Sequence, residues 1–251
     1  MKLKNKNALI TGGSTGIGKE IAISYAKEGA NLAINYFGTD TEALELKKYL
    51  ESTYHIQVLL LEANLENEAE IVDMFKKFIE EYQCIDILVC SAGIGQQKDI
   101  LSLTAADWDR MLTINLRAPF LCNKEAVKYM LTQGKGRIIN IASQIGQIGA
   151  IDNSHYAASK AGLIGFTKSL AREVSKKGIN VNCIAPGPIA TPFLLDGYDE
   201  AWKEQKQSSL PLGRFGEAFE VAPSAVLLAA EPDGNLFTGQ TLGPNSGDVM
   251  L

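Results

Sequence analysis

Three side chains in the middle of the chain have the types and the spacing needed for proton transfer at an oxygen atom. Tyr156 and Lys160 are four residues apart, and Ser143 follows the apolar run Arg137–Ala142. Residues i and i+4 lie on one face of a helix, so the phenol and the ammonium group can point into one pocket. Ser143 can reach the same pocket from the end of a strand.

The chemistry that suits these residues is proton transfer to or from a carbinol oxygen. A tyrosine with its ordinary pKa, near ~10, is a poor base at neutral pH. A neighbouring ammonium group favours the phenolate, so we expect Lys160 to lower the pKa of Tyr156. Ser143 can donate a hydrogen bond to a substrate oxygen on which negative charge develops. Because Tyr-x-x-x-Lys alone is common on exposed helices, this interpretation depends on the rest of the chain.

A glycine-rich turn near the N-terminus predicts a dinucleotide-binding site. Gly12, Gly16 and Gly18 follow the apolar strand Asn7–Thr11 and precede an amphipathic helix that ends at Gly29. Glycines in such a turn let backbone amides approach a pyrophosphate, and the helix N-terminus adds its positive dipole. A second strand follows this helix, which makes the signal much stronger than three glycines alone.

Apolar runs of strand length alternate with amphipathic helical segments up to residue 184. We predict further strands at residues 31–36, 56–61, 85–90, 136–142 and 179–184, and helices at 19–28, 41–53, 66–82, 107–131 and 154–175. Thr104 is the expected N-cap of the fourth helix. This order predicts an α/β fold with a single Rossmann-type, doubly wound parallel sheet and helices on both faces. We expect one domain over residues 1–251.

The segment from Pro186 to about Phe219 breaks this alternation. A long irregular segment after a strand of a parallel sheet usually lies over the ligand crevice, so we expect a substrate loop here. A short helix near residues 218–230 and a last strand near residues 240–242 follow it. The tail after Gly243 ends in apolar residues, which suggests packing, with another subunit as one candidate partner.

Composition excludes several classes of function. The 251 residues carry a net charge of −5 without a lysine-rich stripe, which argues against nucleic-acid binding. No apolar run is long enough to span a bilayer and no signal-peptide pattern is present, so we expect a cytoplasmic protein without a membrane partner. The four cysteines have no paired spacing, which predicts free thiols. Two histidines and no cysteine motif argue against a metal site.

Taken together, the motifs resemble those of the short-chain dehydrogenase/reductase family over nearly the whole chain. Thr11-Gly-Gly-Ser-Thr-Gly-Ile-Gly18 matches the family's cofactor motif, and Tyr156-Ala-Ala-Ser-Lys160 matches its active-site motif. Ser143 precedes the tyrosine by the usual 13 residues. Asn115 matches the fourth catalytic position, and Pro186-Gly187 matches the motif beside the nicotinamide. Five matches in the right order leave little room for chance.

The resemblance implies a mechanism. Hydride passes between the nicotinamide C4 atom and the substrate carbon while Tyr156 transfers the proton. Lys160 binds the nicotinamide ribose and lowers the pKa of the tyrosine, and Ser143 polarises the carbonyl. Asn115 kinks its helix and joins a proton relay through a water linked to the lysine. No metal is required.

The resemblance also implies a set of site residues. The catalytic residues are Asn115, Ser143, Tyr156 and Lys160. The cofactor contacts are Gly12, Ser14, Thr15, Gly16, Ile17, Gly18, Asn35, Tyr36, Asn64, Leu65, Ser91, Ala92, Gly93, Tyr156, Lys160, Pro186, Gly187, Ile189 and Thr191. The substrate contacts are Ser143, Gln144, Ile148 and Tyr156.

Three positions depart from the family pattern. After the fourth strand the family usually reads Asn-Asn-Ala-Gly, whereas this chain reads Cys90-Ser-Ala-Gly93. The sheet-bracing asparagine expected at position 90 must therefore be lost or replaced. Asn64 stands where the family commonly has an aspartate that touches the adenine, and its amide oxygen can still accept a hydrogen bond.

The choice between NADPH and NADH depends on the end of the second strand. An NAD site usually has an acid there, which binds the ribose 2′-hydroxyl. Here the strand ends Asn35-Tyr-Phe-Gly38, with no acid before Asp40. A basic residue, which an NADP site often has, is absent too, since Phe37 and Thr15 stand at those places. We predict NADPH, with NADH as the alternative.

Within the family the sequence looks most like 3-oxoacyl-carrier-protein reductases, through Asn35-Tyr36, Ala161–Glu173 and Phe237–Gln240. This implies NADPH-dependent reduction of a 3-oxoacyl thioester or a similar ketone. Acyl carrier protein is then a candidate partner, and Lys176 and Lys177 could serve it near the mouth of the cleft. The alternatives are an NAD(P)-dependent sugar or polyol dehydrogenase and a non-catalytic nucleotide-binding scaffold. Family members are usually tetramers, so we expect a homotetramer.

Overall fold

Seven parallel strands form one sheet in the structure, a computed structural model that describes residues 1–250 apart from the side chain of Phe193. The strands are β1 (Asn7–Thr11), β2 (Asn31–Tyr36), β3 (Val58–Glu62), β4 (Ile87–Cys90), β5 (Gly136–Ile141), β6 (Ile179–Ile184) and β7 (Thr241–Leu242). Their order across the sheet is β3-β2-β1-β4-β5-β6-β7. The predicted doubly wound parallel sheet is therefore confirmed.

Helices connect the strands and cover both faces of the sheet. They are α1 (Gly16–Lys27), α2 (Asp40–Tyr54), α3 (Glu68–Tyr82), α4 (Ala105–Leu112), α5 (Ala118–Gln133), α6 (Ile145–Ile148), α7 (Ser154–Val174), α8 (Pro192–Leu195), α9 (Glu200–Ser209) and α10 (Ala218–Ala229). A π-helical turn, Thr113–Arg117, joins α4 to α5, and a 3-10 turn, Ser175–Lys177, follows α7. Among the described residues, no helix has the length and apolar composition needed to cross a bilayer.

The order of the strands reverses at the neighbouring strands β1 and β4. β1, β2 and β3 extend to one edge of the sheet, and the chain then returns to place β4 on the other side of β1. Thr11 and Cys90, the last residues of β1 and β4, are partners in the register of this pair. A crevice opens at such a switch point, outside the carboxyl ends of the strands, and ligands of these sheets bind there.

The sheet is buried on both faces, because successive side chains of a strand point to opposite sides. In β1, Ile10 belongs to a buried cluster that includes Tyr25 of α1 and Val221 of α10. Leu9 belongs to a second cluster that includes Phe78 of α3. This two-sided burial fixes the ends of the strands, so the residues that follow each strand are held in place.

The predicted helix over residues 107–131 is divided in the structure. Its start is as predicted, because Thr104 and Asp107 form a reciprocal capping box at the N-terminus of α4. After Leu112 the chain makes the π-turn, and Pro119 in the first turn of α5 lacks the N–H that a continuous helix would use. The division places Asn115 at the centre of the π-turn.

The segment at residues 186–219 contains α8 and α9 as well as irregular chain. Asp199 caps α9 by accepting a 2.8 Å hydrogen bond from the backbone N–H of Trp202. The sequence analysis missed α9 because its residues are mostly charged or polar and show no clear apolar stripe. Tyr198, Trp202 and Phe215 still form an aromatic cluster, with the rings of Tyr198 and Trp202 stacked 3.7 Å apart.

Candidate active site

The glycine loop between β1 and α1 folds so tightly that two of its positions accept only glycine. A Cβ atom on Gly18 would stand 2.2 Å from the carbonyl oxygen of Gly12. Gly12 has φ +58°, and a Cβ atom there would stand 2.7 Å from the Cα of Ala92. The loop therefore lies directly on the strand ends and leaves its outer side for a phosphate group. The predicted contacts in this loop and the first turn of α1 are Ser14, Thr15, Gly16, Ile17 and Gly18.

Asn35, at the end of β2, holds the glycine loop to the sheet. Its Oδ1 accepts a 3.3 Å hydrogen bond from the N–H of Gly12, and its Nδ2 donates to the carbonyl oxygens of Leu61 and Ala63 at 3.2 and 3.1 Å. The side chain is 2% exposed. The structure therefore uses Asn35 as a brace, and the neighbouring Tyr36, which is half-buried, is the residue that faces outward.

Two turns complete the predicted adenosine side of the cleft. Thr11 Oγ1 accepts hydrogen bonds from the backbone N–H groups of Ser91 and Ala92 at 3.1 and 3.3 Å, which fixes the turn after β4. After β3, Asn64 Oδ1 accepts a 3.0 Å hydrogen bond from the N–H of Glu66. Leu65 is buried. Both turns lie at the carboxyl ends of the strands, together with the glycine loop.

The bracing asparagine that the sequence lacks at position 90 is replaced by one from α5. Asn123 Nδ2 donates to Asn140 Oδ1 at 2.9 Å and lies 3.4 Å from the sulfur of Cys90. Asn140, on β5, donates in turn to Thr167 Oγ1 of α7 at 2.9 Å. Asn123 and Asn140 are fully buried. This buried polar cluster joins β4, β5, α5 and α7, and the four cysteines are free thiols as predicted.

The structure brings Ser143, Tyr156 and Lys160 together at the carboxyl end of β5. Ser143 forms a hydrogen bond with the phenol of Tyr156. Lys160 Nζ lies 5.7 Å from the centroid of the Tyr156 ring and donates a 3.0 Å hydrogen bond to the carbonyl oxygen of Ile141. Tyr156 and Lys160 share one face of α7, as the spacing of four residues predicts.

Asn115 reaches the same place from the π-turn. Its Oδ1 accepts a 2.9 Å hydrogen bond from the N–H of Ile94, and its Nδ2 donates to the carbonyl oxygen of Ile94 at 2.8 Å. A Cβ atom on Gly93 would stand 3.2 Å from Asn115 Oδ1 and 3.4 Å from Lys160 Nζ. Because Gly93 has no side chain, the turn after β4 can lie close to both the Asn115 amide and the Lys160 ammonium group.

The pKa of Tyr156 runs against the sequence-based expectation. Burial raises the pKa of the phenol to about 12, and the hydrogen bond from Ser143 offsets only part of this effect. Burial also lowers the pKa of the Lys160 ammonium group to about 8. The expectation that the pKa of Tyr156 is lowered is therefore wrong, because the desolvation of the phenol is the largest effect on it.

The predicted nicotinamide motif packs against the C-terminal tail. Gly187 N–H donates to the carbonyl oxygen of Pro244 at 3.1 Å, and a Cβ atom on Gly187 would stand 2.6 Å from the Cα of Asn245. Ile189 is buried, and Thr191 lies opposite the glycine loop, with its methyl group 3.9 Å from the place of a Cβ atom on Gly16. The predicted nicotinamide motif and the glycine loop thus face each other at the carboxyl ends of the strands.

The substrate side combines residues that the sequence predicted with one contact that it did not. Tyr198 belongs to the predicted substrate loop and lies close enough to Tyr156 to contribute to the raised pKa of that phenol. Asp248, near the C-terminus, accepts hydrogen bonds from Gln144 Nε2 and, at 2.6 Å, from Lys206 Nζ of α9. The contact of Asp248 with Gln144 could not be predicted, because the two residues are 104 positions apart in the sequence. Ile148, which was predicted as a substrate contact, is exposed.

Lys176 and Lys177 do not lie near the cleft. They follow α7, whose residues Tyr156 and Val174 are separated by about 27 Å along the helix axis at a rise of ~1.5 Å per residue. The two lysines therefore lie at the opposite ends of the strands, beside the start of β6. The suggestion that they border the mouth of this chain's own cleft is wrong.

Comparison with known proteins agrees with this geometry. The family model described as short chain dehydrogenase matches residues 6–200. The chain is 36% identical over 245 residues to the 3-oxoacyl-acyl-carrier-protein reductase FabG of Staphylococcus aureus, with 98% of each protein covered. It is 37% identical over 244 residues to the 3-oxoacyl-acyl-carrier-protein reductase of Synechocystis, with 97% of each covered.

A solved structure is similar over the same length. The crystal structure of a dehydrogenase/reductase from Sinorhizobium meliloti 1021 superposes with a TM-score of 0.92 at 33% identity. The match covers 98% of this chain and 96% of that one. The chain therefore belongs to the short-chain dehydrogenase family.

Proposed function

We propose that the chain reduces the keto group of a 3-oxoacyl thioester or a similar ketone. As a short-chain dehydrogenase it is an NAD(P)-dependent oxidoreductase that acts on C=O and CH–OH groups. The observation that carries the proposal is the hydrogen bond between Ser143 and Tyr156 beside the ammonium group of Lys160, at the carboxyl end of β5. The names of the relatives from Staphylococcus and Synechocystis support the thioester as substrate class.

The residues of this chain supply the proton in that reaction. The nicotinamide ring supplies the hydride when it is bound. Tyr156, whose pKa is raised to about 12, holds its proton at neutral pH and can donate it to the substrate oxygen. Ser143 donates a second hydrogen bond to that oxygen, and the positive charge of Lys160 stabilises the phenolate that remains. We propose Asn115 as the fourth member, which fixes the Ile94 turn beside Lys160.

The identity of the nicotinamide cofactor depends on the charges around Tyr36. The sequence predicts NADPH because the end of β2 has no acid. In the structure, Tyr36 pairs with Glu62 of β3, and Asp40 opens α2. These two carboxylates would repel a 2′-phosphate, so they favour the alternative, NADH. Calorimetric titration of both cofactors tests this, and NADH should bind at least ten-fold more tightly if these charges decide.

The reaction is tested by initial rates with acetoacetyl-CoA and with glucose, each with both cofactors. Turnover of the thioester and none of the sugar is the expected result. Turnover of glucose alone would replace the proposal by the sugar dehydrogenase alternative. Binding of a cofactor without any turnover would instead support a non-catalytic scaffold.

We also propose that the chain is a single domain that works in the cytoplasm as a homotetramer, with acyl carrier protein as a possible carrier of the substrate. A groove of about 470 Å³ lies between the π-turn and α7 and is lined by Leu112, Leu116, Phe120 and Phe166. The rings of Phe120 and Phe166 meet edge to face, and Phe120 is 42% exposed. This apolar surface supports assembly through α5 and α7. Light scattering should give the mass of four chains, and a monomer would contradict it.

A further inference from the structure

One atom of the Gln144 side-chain amide has no role in the proton transfer described above. Gln144 follows Ser143 directly and is 5% exposed. Its Nε2 donates a hydrogen bond to the carboxylate of Asp248. Its Oε1 is buried and has no hydrogen-bond partner within the part of the chain that the structure describes. Buried acceptors in proteins are nearly always paired, so this oxygen needs a donor from outside the chain.

The orientation of this amide is fixed by its neighbour. The oxygen and nitrogen atoms of a glutamine amide are hard to distinguish by shape alone, but a carboxylate is only an acceptor. Asp248 therefore requires the NH₂ group of Gln144 on its side. Oε1 must then point away from Asp248, and it cannot exchange places with the nitrogen without losing this bond.

Asp248 is itself held in place by a lysine of α9. Lys206 Nζ of α9 lies 2.6 Å from the carboxylate, and the Asp248 side chain is 13% exposed. The backbone N–H of Asp248 donates to the carbonyl oxygen of Asn245 at 3.0 Å. A chain of contacts thus runs from α9 through the tail to the residue next to the catalytic serine.

Gln144 also connects two segments that border the proton-transfer site. Gln144 N–H donates to the carbonyl oxygen of Pro186 at 3.0 Å, so Gln144 joins the strand end that carries Ser143 to the predicted nicotinamide motif. Tyr198, in the segment that leads into α9, approaches Tyr156 from the other side. Gln144 is therefore enclosed by the segments that border the proton-transfer site.

We propose that Gln144 Oε1 accepts a hydrogen bond from an N–H or O–H group that the substrate carries a few bonds beyond its reacting carbonyl. Asp248 and Lys206 act as positioning residues, because they fix the orientation of the amide. The inference rests on the proposed ketone reduction and adds a requirement for a donor on the substrate. In an acyl thioester the donor is the first amide N–H of the pantetheine arm. In a hydroxyketone it is the neighbouring hydroxyl group.

Two matched pairs of substrates separate these sources. Acetoacetyl-N-acetylcysteamine carries the amide N–H of the arm, and the S-ethyl thioester of acetoacetate lacks it. Acetoin carries a hydroxyl group next to its ketone, and 2-butanone lacks it. The measurement is the ratio of kcat/KM within each pair, for the full chain with a saturating nicotinamide cofactor. We expect a ratio of about ten or more in one pair, since a hydrogen bond to a buried acceptor has this order of effect.

Three variants test whether Gln144 accepts the hydrogen bond from the substrate. Gln144→Met keeps the length of the side chain and removes the amide, and it should bring the ratio to about one by slowing only the donor-bearing substrate. Asp248→Ala should lower the ratio in part, because the amide is then free to turn. The matched control is Lys203→Ala, also on α9, because Lys203 pairs with Glu200 and does not contact Asp248. It should leave the ratio unchanged.

A loss of fold or of general activity would lower kcat/KM for both substrates of a pair by the same factor. The ratio therefore reports only the proposed hydrogen bond. A wild-type ratio near one in both pairs, or an unchanged ratio in Gln144→Met, would overturn the inference. If the chain reduces none of these ketones, the proposed function fails instead. Calorimetric binding of 3-hydroxybutyryl-N-acetylcysteamine and its S-ethyl counterpart then still tests the inference, and equal affinities would overturn it.

Discussion

The ammonium group of Lys160 donates a 3.0 Å hydrogen bond to the carbonyl oxygen of Ile141, the last residue of β5. Both groups are buried, and burial lowers the pKa of the lysine to about 8 from 10.5. A buried cation that is satisfied by one neutral carbonyl destabilises the fold. This position is therefore built for chemistry at the expense of stability.

Replacing this lysine by a neutral side chain of similar length should stabilise the chain. We expect Lys160→Met to raise the free energy of unfolding at pH 7 by about 1–3 kcal/mol, because the desolvation of the cation outweighs one hydrogen bond. The gain should shrink as the pH rises from about 8 towards 10.5, where the wild-type fold holds fewer protons than the unfolded chain. Urea denaturation at several pH values measures both effects, and a less stable variant at pH 7 would contradict the argument.

Removing the phenolic hydroxyl group should remove turnover and spare cofactor binding. Tyr156→Phe keeps the ring on α7 and deletes only the proton donor, so we expect kcat to fall by about 10²–10⁴. Cofactor affinity, measured by calorimetry, should change little. Tyr49→Phe, on the exposed side of α2, is the matched control and should behave as the wild type. Wild-type turnover in Tyr156→Phe would show that another group donates the proton.

The rate of ketone reduction should fall at alkaline pH because of Lys160 rather than Tyr156. The pKa of the lysine is about 8 and that of the phenol about 12, so the ammonium group loses its proton first as the pH rises. Without this cation the phenolate formed in the reaction is less stable. We expect kcat/KM for acetoacetyl-CoA to be level below about pH 7 and to decline above about pH 8. A profile that stays level to pH 10 would contradict this assignment.

Asn123 should be needed for stability, because it replaces the asparagine that is absent at position 90. Asn123→Ala leaves the buried Asn140 without one hydrogen-bond partner, so we expect a loss of about 2–3 kcal/mol in the free energy of unfolding. Lys124→Ala, the next residue of α5, is exposed and should change it by less than about 0.5 kcal/mol. Thermal and urea denaturation would compare the two variants. If both were equally stable, the buried polar cluster around Asn123 and Asn140 would not stabilise the fold.

Local patterns predicted the strands well and one feature of the helices poorly. β1, β2 and β6 begin and end at the predicted residues, because each is an apolar run between turn signals. The helical pattern continues through Thr113–Arg117, so local periodicity predicts one helix there, and only the family resemblance indicated a kink at Asn115. The π-turn places Asn115 in contact with Ile94, and no local pattern records this contact.

The same limit applies to the candidate site. Motifs placed Ser143, Tyr156 and Lys160 correctly in one pocket, because their spacing is local to β5 and α7. The direction of the pKa shift of Tyr156 could not be predicted, since it depends on how much water the surrounding segments exclude. The partnership of Gln144 with Asp248 joins residues 104 positions apart, and only the folded chain brings them together.

The π-turn makes the chain sensitive to the deletion of a single residue between α4 and α5. One turn with an extra residue sets α5 out of phase with α4 by about 100° relative to a continuous helix. That rotation is what allows Asn115 to face Ile94 while Leu121 and Cys122 face the interior. Deleting a single residue between positions 113 and 117 would give a more regular helix and would turn one of these two surfaces away from its partner.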